Sequence, residues 1–504
     1  MDASTFQHIL NGFTVAIQPI NLWYTFVGVF LGTIVGVLPG IGPSASIALL
    51  IPITFGMNPT SALIMMCGIY YGTKYGGSTT AILIRTPGEA ASVMTSIDGY
   101  EMAKKGRAGA ALAVSAIGSF IAGTLGVIGL TIFAVPLASM ALKFGPAEYF
   151  TLMLFAMTAV STLTGKSAAK GMLATLLGLM IATIGIDLQS GQARYTMGIP
   201  EFQDGVGFVV VVVGLFAVAE VLRGLESVFK GTAPDAMKIS GKLWLTKQEW
   251  LRSIGPIWRG GVIGFIIGVL PGAGGTIASI MSYTTEKRLS KMPDEFGKGS
   301  IEGVAGPEAA NNSDTAGAMV PLLTLGIPGG GATAVLMGAF IMYGIQPGPM
   351  LFQNRPDLVW GLINSMYIGN IMLLILNLPL IGLFVRLLYI PPGILYPLII
   401  SISLIGAYGI NGSPTDLYLI LFFGVVGYVF DKVDIPVAPL VLSLVLGGMM
   451  EQSFRQAMTI SGGNLQIFFG SAITMTLVIM SVISILIPFI LPKLKQYKEE
   501  GKDE

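Results

Sequence analysis

The most polar stretch of this chain is Pro307-Glu308-Ala309-Ala310-Asn311-Asn312-Ser313-Asp314-Thr315, and it runs straight into an apolar segment at 316–325. Carboxylates, amides and hydroxyls are the hard oxygen ligands that a small cation takes. An acid held at the centre of a bilayer costs roughly 3 kcal/mol unless it is neutralised or functional. Asn311, Asn312, Ser313 and Asp314 are therefore the candidates for cation coupling, with Asp314 first. The structural alternative is a helix N-cap, for which Asn-Asn-Ser-Asp is well suited.

Chemistry for an anion is written at other positions. Proline lacks a donor N–H and glycine relaxes the backbone. Leu38-Pro39-Gly40-Ile41-Gly42-Pro43 and Leu270-Pro271-Gly272-Ala273-Gly274-Gly275 therefore cannot continue the helices before them. A new helix follows each break among small hydroxyls, and free N–H groups at the positive end of a helix dipole suit an anion. Gly40, Gly42, Ser44, Ser46, Gly272, Gly274, Gly275 and Thr276 are the expected substrate contacts. Tyr75-Gly76-Gly77-Ser78-Thr79-Thr80 and Gly326-Ile327-Pro328-Gly329-Gly330-Gly331 read as two later breaks of the same kind. They add Ser78, Thr79, Thr80, Pro328, Gly329 and Gly330. Arg85 could meet a substrate carboxylate, but pairing with Glu89 or reaching to the membrane surface is favoured. Asp187 reads as a cap at a helix boundary, and Tyr70 and Tyr71 as packing between helices.

These positions lie in a chain built for lipid. It has 504 residues, 53% hydrophobic and 11% charged, with mean hydropathy +0.76, whereas soluble domains carry about 25% charged residues. Apolar stretches at 22–38, 108–135, 171–186, 208–222, 358–385, 417–430 and 467–491 approach or exceed the roughly 20 residues that span a bilayer, which predicts about ten to twelve crossings. No Lys or Arg precedes Lys74, and the basic residues crowd between Arg223 and Lys298 and in the tail at Lys493, Lys495, Lys498 and Lys502. The positive-inside rule places the amino terminus outside and the linker and tail in the cytoplasm. The first residues lack the basic region of a signal peptide, so the first apolar segment is expected to remain as a membrane helix. Cys67 and His8 are the only residues of their types, which excludes disulfides, Cys/His metal sites and histidine-dependent catalysis.

The segment Gly36-Val37-Leu38-Pro39-Gly40 recurs as Gly268-Val269-Leu270-Pro271-Gly272, an offset of 232, and Pro87-Gly88 recurs as Pro328-Gly329, an offset of 241. The charge bias of the flanking loops changes sign between the copies. Basic residues are absent before the first copy and abundant before the second, whereas Lys104, Lys105 and Arg107 in the first face only Arg355 in the second. Two copies of opposite orientation would show this pattern. Irregular backbone is tolerated at membrane depth only where protein or a wet cavity satisfies it, so each Leu-Pro-Gly reads as the tip of a re-entrant hairpin. The expected architecture is an all-α integral membrane protein with two inverted-topology repeats and re-entrant helical hairpins. The first repeat occupies 1–222, a cytoplasmic linker 223–258, the second repeat 259–492 and a cytoplasmic tail 493–504.

The segments 36–46, 68–80, Asp98-Gly99-Tyr100 with Met102-Ala103-Lys104-Lys105-Gly106, Ile184-Gly185-Ile186-Asp187, Gly198-Ile199-Pro200-Glu201 and 303–331 occur in one order. Together they resemble the large membrane subunit of the tripartite tricarboxylate transporters, the TctA type, over about 30–450. That resemblance implies a multi-pass permease of the bacterial inner membrane that imports carboxylates with a cation gradient. Its partners would be a small membrane subunit of TctB type and a periplasmic solute-binding protein of TctC type. Na⁺ or H⁺ would be the coupling ion and no other cofactor is expected; nucleic acid is not a partner, and a homodimer stays open. The acid-bearing Asn312-Ser313-Asp314-Thr315 departs from the small residues that the resemblance implies after Asn-Asn, and Glu89 from a small or polar one. An organic-anion channel is the first rival. An intramembrane hydrolase is the second, but no Gly-x-Ser-x-Gly elbow or second mid-membrane Asp is present to activate a nucleophile.

Overall fold

The computed structural model of the chain describes residues 3–165, 167–187, 189–230, 239 and 241–500. Most of it is helix, and the described strands are two residues each, Gly185–Ile186 and Ala193–Arg194, paired antiparallel. After α1 (Ala3–Ala16), the first copy runs α2 (Pro19–Gly36), α3 (Pro43–Leu50), α4 (Pro59–Ile84), α5 (Val93–Lys104) and α6 (Ala108–Ala141). Two shorter helices, α7 (Pro146–Leu163) and α8 (Ala168–Ala182), lead through the small hairpin to α9 (Phe208–Phe229), which carries a π-helical turn at Val213–Val218. The second copy runs α10 (Lys247–Val269), α11 (Gly274–Leu289), α12 (Glu302–Leu325), α13 (Gly331–Met342) and α14 (Pro356–Asn377). The chain closes with α15 (Pro392–Asn411), α16 (Pro414–Lys432), α17 (Val437–Ile460) and α18 (Ala472–Glu500).

The chain breaks at both Leu-Pro-Gly motifs, between α2 and α3 and between α10 and α11. Gly40 (φ +85) and Gly272 (φ +82) take the same left-handed conformation, 232 residues apart, which only glycine adopts without strain.

The duplication is written most plainly in the closest helix contacts. On α2, Gly28, Gly32 and Gly36 lie so near α4 that a Cβ would come within 2.2, 2.5 and 2.5 Å of the carbonyl oxygens of Met65, Ile69 and Thr73. On α10, Gly260, Gly264 and Gly268 stand 2.4, 2.2 and 2.6 Å by the same measure from those of Gly306, Ala310 and Asp314 on α12. The glycines repeat at an offset of 232 and their partners at 241, the two spacings already present in the motifs. Glycine at every fourth position removes the side chains between two helices and lets their backbones touch.

Among the described residues, six helices are long and apolar enough to cross a membrane: α2, α6, α9, α14, α16 and α17. A pair bent by 100° around residues 381–409 would add a seventh. The polar residues of α4 and α12, with 26 and 24 residues each, are enclosed by protein instead of lipid, so these helices have length without uniform apolarity.

The two ends of the molecule differ in charge. Arg107 at the start of α6 pairs with Glu249, and Lys105 donates to the carbonyl of Lys298. The basic loops of both copies thus gather at one end. At the far end of α6, about 50 Å away at 1.5 Å per residue, the loops 143–149, 185–205, 343–355 and 451–471 carry only Lys143, Arg194, Arg355 and Arg455. The segment expected as linker is helical at both its ends: α9 reaches Phe229, and α10 starts at Lys247 behind a Thr246–Glu249 capping box. Residues 247–258 are therefore helical and form the first half of α10; residues 231–238 and 240 lie outside those described. The tail continues α18 as far as Glu500, and 501–504, with Lys502, also lie outside.

Asp98, fully buried on α5, fastens the copies together. Its Oδ1 accepts the backbone N–H groups of Gly297, Gly299 and Ser300 at 2.8–2.9 Å, and its Oδ2 the hydroxyl of Tyr283 at 2.8 Å. Asp98→Ala would leave these donors buried without an acceptor, at about 1–3 kcal/mol each. The expected result is a drop of several degrees or more in the melting temperature of the detergent-purified protein; an unchanged melting curve would refute the assignment.

Candidate functional site

The centre of the molecule is where α4 and α12 cross. Lys74 sits in the middle of α4, a helix otherwise without charge, and its side chain is only 5% exposed. Its Nζ lies 3.1 Å from Glu89 Oε2, donates to Asn311 Oδ1 at 2.8 Å and stands 4.0 Å from Asp314 Oδ2. Asn311 closes the ring by donating from Nδ2 to Glu89 Oε1 at 2.8 Å. The ring of Tyr70, one turn back on α4, lies 5.9 Å from the ammonium. One lysine thus serves two buried carboxylates, and Asp314 Oδ1 has no hydrogen-bond partner among the described residues.

Both hairpin tips reach this cluster. A Cβ on Gly275, in the first turn of α11, would lie 2.9 Å from Asn311 Oδ1, 3.0 Å from Asp314 Oδ2 and 3.1 Å from Lys74 Nζ. The positive end of α11 therefore faces an acid of the protein itself. On the other side Gly42 lies against Glu89, and Ser44 against Gly331 at the start of α13. The pairing crosses between copies: α3 packs on α13, and α11 on the Ala90–Ser92 turn beyond Glu89. Gly272 N–H donates to the Gly329 carbonyl at 2.8 Å, which brings the Pro328-Gly329 loop onto the second tip. Gly330 N–H is taken up by Thr333 Oγ1, and Gly40 stands apart, beside the carboxylate of Glu220. Ser46 is buried within α3, and its hydroxyl turns back to the Gly42 carbonyl. Gly274 has open space around it, and Thr276 is half-buried one residue beyond Gly275.

The structure corrects the sequence reading at several points. Ser78, Thr79 and Thr80 do not follow a break, because α4 is continuous from Pro59 to Ile84. The glycine before them serves contact instead: Gly76 meets the backbone of Thr33, Gly36 and Val37. Asp314 does not cap a helix, since α12 begins twelve residues earlier at Glu302. The four expected cation ligands divide over two faces. Asn311 and Asp314 point at Lys74, whereas Asn312 donates to Ser119 and Ser313 lies against Gly126 on α6. Glu89 pairs with Lys74 and leaves Arg85 over the ring of Tyr100, 5.6 Å from its centroid. Arg85 ends α4 in the left-handed conformation (φ 56), as Gly326 ends α12 (φ 70). Asp187 accepts the N–H groups of Ser190 and Gln189 and pairs with Arg455 and Arg194. The Ser190 N–H, then Arg455, then the Gln189 N–H hold its carboxyl well below the usual range. Tyr70 and Tyr71 are buried with their rings edge to face, as expected of packing residues.

Sequence reasoning missed Lys74 and also gave Glu308 no role of its own. Glu308 is fully buried one turn before Asn311 and has no cation within ion-pair distance among the described residues. Ser78 and Thr95 donate to it, and Ser115 does so at 3.0 Å, joining α4, α5 and α6 to α12. Ser78 thus has a place near the site, though as partner to this acid. The described residues contain no cluster of His, Cys, Asp and Glu that could hold a metal ion.

Residues 22–442 match the family described as the tripartite tricarboxylate transporter TctA family. The chain is similar to an uncharacterized 52.8 kDa protein in the TAR-I ttuC' 3' region of Agrobacterium vitis, 48% identical over 97% of both chains. It is also similar to an uncharacterized protein in the TAR-II ttuC' 3' region of the same organism, 46% identical over 47% of this chain and 98% of that one. No solved structure matches it.

Proposed function

Since the chain belongs to the tripartite tricarboxylate transporter TctA family, we propose that it is the permease of a secondary transporter that imports small carboxylates with a cation gradient. In this reading it sits in a bacterial inner membrane beside a small membrane subunit and is fed by a periplasmic solute-binding protein. The observation that carries the reading is the charge imbalance at the crossing of α4 and α12: Glu89, Glu308 and Asp314 are buried with Lys74 as the one ammonium among them. Unpaired charge in a low-dielectric interior is strongly unfavourable. A proton or Na⁺ arriving at Asp314 removes part of the excess and loosens its claim on Lys74. The ammonium is then free to take a carboxylate of the substrate in place of Glu89, beside the amides of the hairpin tips. Neither charged species is comfortable there without the other, which is the thermodynamic content of coupled transport.

The test is uptake of labelled di- and tricarboxylates into membrane vesicles supplied with the binding protein, under imposed Na⁺ and pH gradients. Saturable, gradient-driven accumulation of unmodified substrate is expected; gradient-independent flux would point to a channel, and altered substrate to an enzyme. Asp314→Asn keeps the shape and removes the charge. Site couplings of about 1–3 kcal/mol correspond to about 5- to 150-fold, so the response of uptake to the gradient should fall by at least about fivefold in this variant. An undiminished response would remove Asp314 from the coupling site.

A further inference from the structure

At the end of the molecule poor in basic residues a cavity of about 480 Å³ opens between the 344–355 segment, α7 and α17. That is within the roughly 300–1,000 Å³ of small-molecule sites. Its polar wall includes Arg355, Gln346, Asn354, Gln452, Ser453 and Gln456, with Tyr149 beside them, and no carboxylate among the described residues lines it. Arg355 makes no ion pair or side-chain hydrogen bond among the described residues. Its neighbours at this end are committed: Arg194 and Arg455 are both held by Asp187 and Glu451. Glu451, the acid next to Gln452, is thereby neutralised and does not oppose an anion in the cavity.

The floor of the cavity connects to the central site. Leu325, the last residue of α12, and Gly348 both line it, and Gly348 N–H donates to the Leu323 carbonyl. Four residues beyond Leu325, the Gly329 carbonyl holds Gly272 of the second tip, three residues before Gly275 at Asp314. On another wall Met153 of α7 lines the cavity, and two turns further on Val160 lies against Gly272.

We propose that this cavity is an entry site for small carboxylates, with Arg355 as the group that receives them. The inference rests on the carboxylate reading above and adds a second, peripheral station to it. A guanidinium offers paired N–H donors in the geometry of a carboxylate, and the glutamine and asparagine amides and the Ser453 hydroxyl donate to further oxygens. The low density of basic charge at this end places the mouth on the outer side of the membrane, where a substrate arrives.

The test uses the exposed cavity residue Gln452 and does not depend on transport. Gln452→Cys introduces a reactive thiol, and the natural Cys67 is buried. A neutral, membrane-impermeant maleimide applied from outside should modify the new cysteine, and citrate or succinate should slow that reaction at least threefold. Combining it with Arg355→Gln should abolish the protection, whereas Arg355→Lys should keep part of it; size-exclusion profiles of each variant verify folding. Protection that persists in Arg355→Gln would overturn the proposal, and so would equal protection by inorganic phosphate, which would mark a general oxyanion or lipid-phosphate site. Carboxylate uptake without any protection would sink the entry site alone, whereas failure of both sinks the carboxylate reading itself.

Discussion

Lys74→Met is expected to abolish carboxylate uptake, by at least about a hundredfold, and to destabilise the protein at the same time. The side chains of Lys74, Glu89 and Asp314 are 5, 6 and 3% exposed, so bulk solvent screens little of the charge on the carboxylates that the substitution strands. Removing one partner of a buried ion pair costs about 3–5 kcal/mol, and here a single ammonium serves both acids. The effect on function can be separated from that on folding. Lys74→Met combined with Glu89→Gln removes one charge of each sign, and Asn311 can still donate to the new amide oxygen. The double variant should recover most of the lost thermal stability without recovering transport. If it transports, or if Lys74→Met alone does, the lysine is a structural counter-ion and has no share in the cycle.

Gly264→Val should prevent folding altogether. A Cβ at this position would lie 2.2 Å from the Ala310 carbonyl oxygen and 2.7 Å from its Cα, and both are backbone of α12, which no rotamer change can move aside. Relief requires α10 and α12 to separate along their whole contact, and severe overpacking of this kind costs about 3 kcal/mol or more. A fluorescent fusion should give no monodisperse peak on size exclusion. Gly382→Ala, where a Cβ meets nothing within 4 Å, is the matched control and should behave as the parent. A folded Gly264→Val protein would show that the helices are not held in backbone contact.

How much of this could be read from the residues depended on the range of the interaction. Pro39 and Pro271 act on their own helices, so the breaks, the hairpin tips and the duplication were legible locally. Gly76-Gly77 was misread because glycine both interrupts helices and lets them touch; which one applies is decided by α2, forty residues away. The split of Asn311 and Asp314 from Asn312 and Ser313 was available in principle, since residues three apart share a helix face and their immediate neighbours do not. Lys74 also left a trace, as the single charge in the 26 residues of α4. Its meaning lies 237 residues further on at Asn311, beyond any local pattern. Glu308 was hidden in the same way, because its hydroxyl partners come from three separate helices of the other copy.

The two offsets also show that the likeness of the halves stops at the charges. By the 241-residue correspondence Lys74 answers to Thr315, Asp314 to Thr73 and Glu89 to Gly330. A pair of first halves would keep the Lys74–Glu89 pair but put threonine in the place of Asp314, and a pair of second halves would have acids with no ammonium between them. The twin scaffolds match in their closest contacts but not in sign, so the fused polypeptide is a heterodimer in electrostatic terms, and only the unlike pairing brings Asn311 and Asp314 to the ammonium.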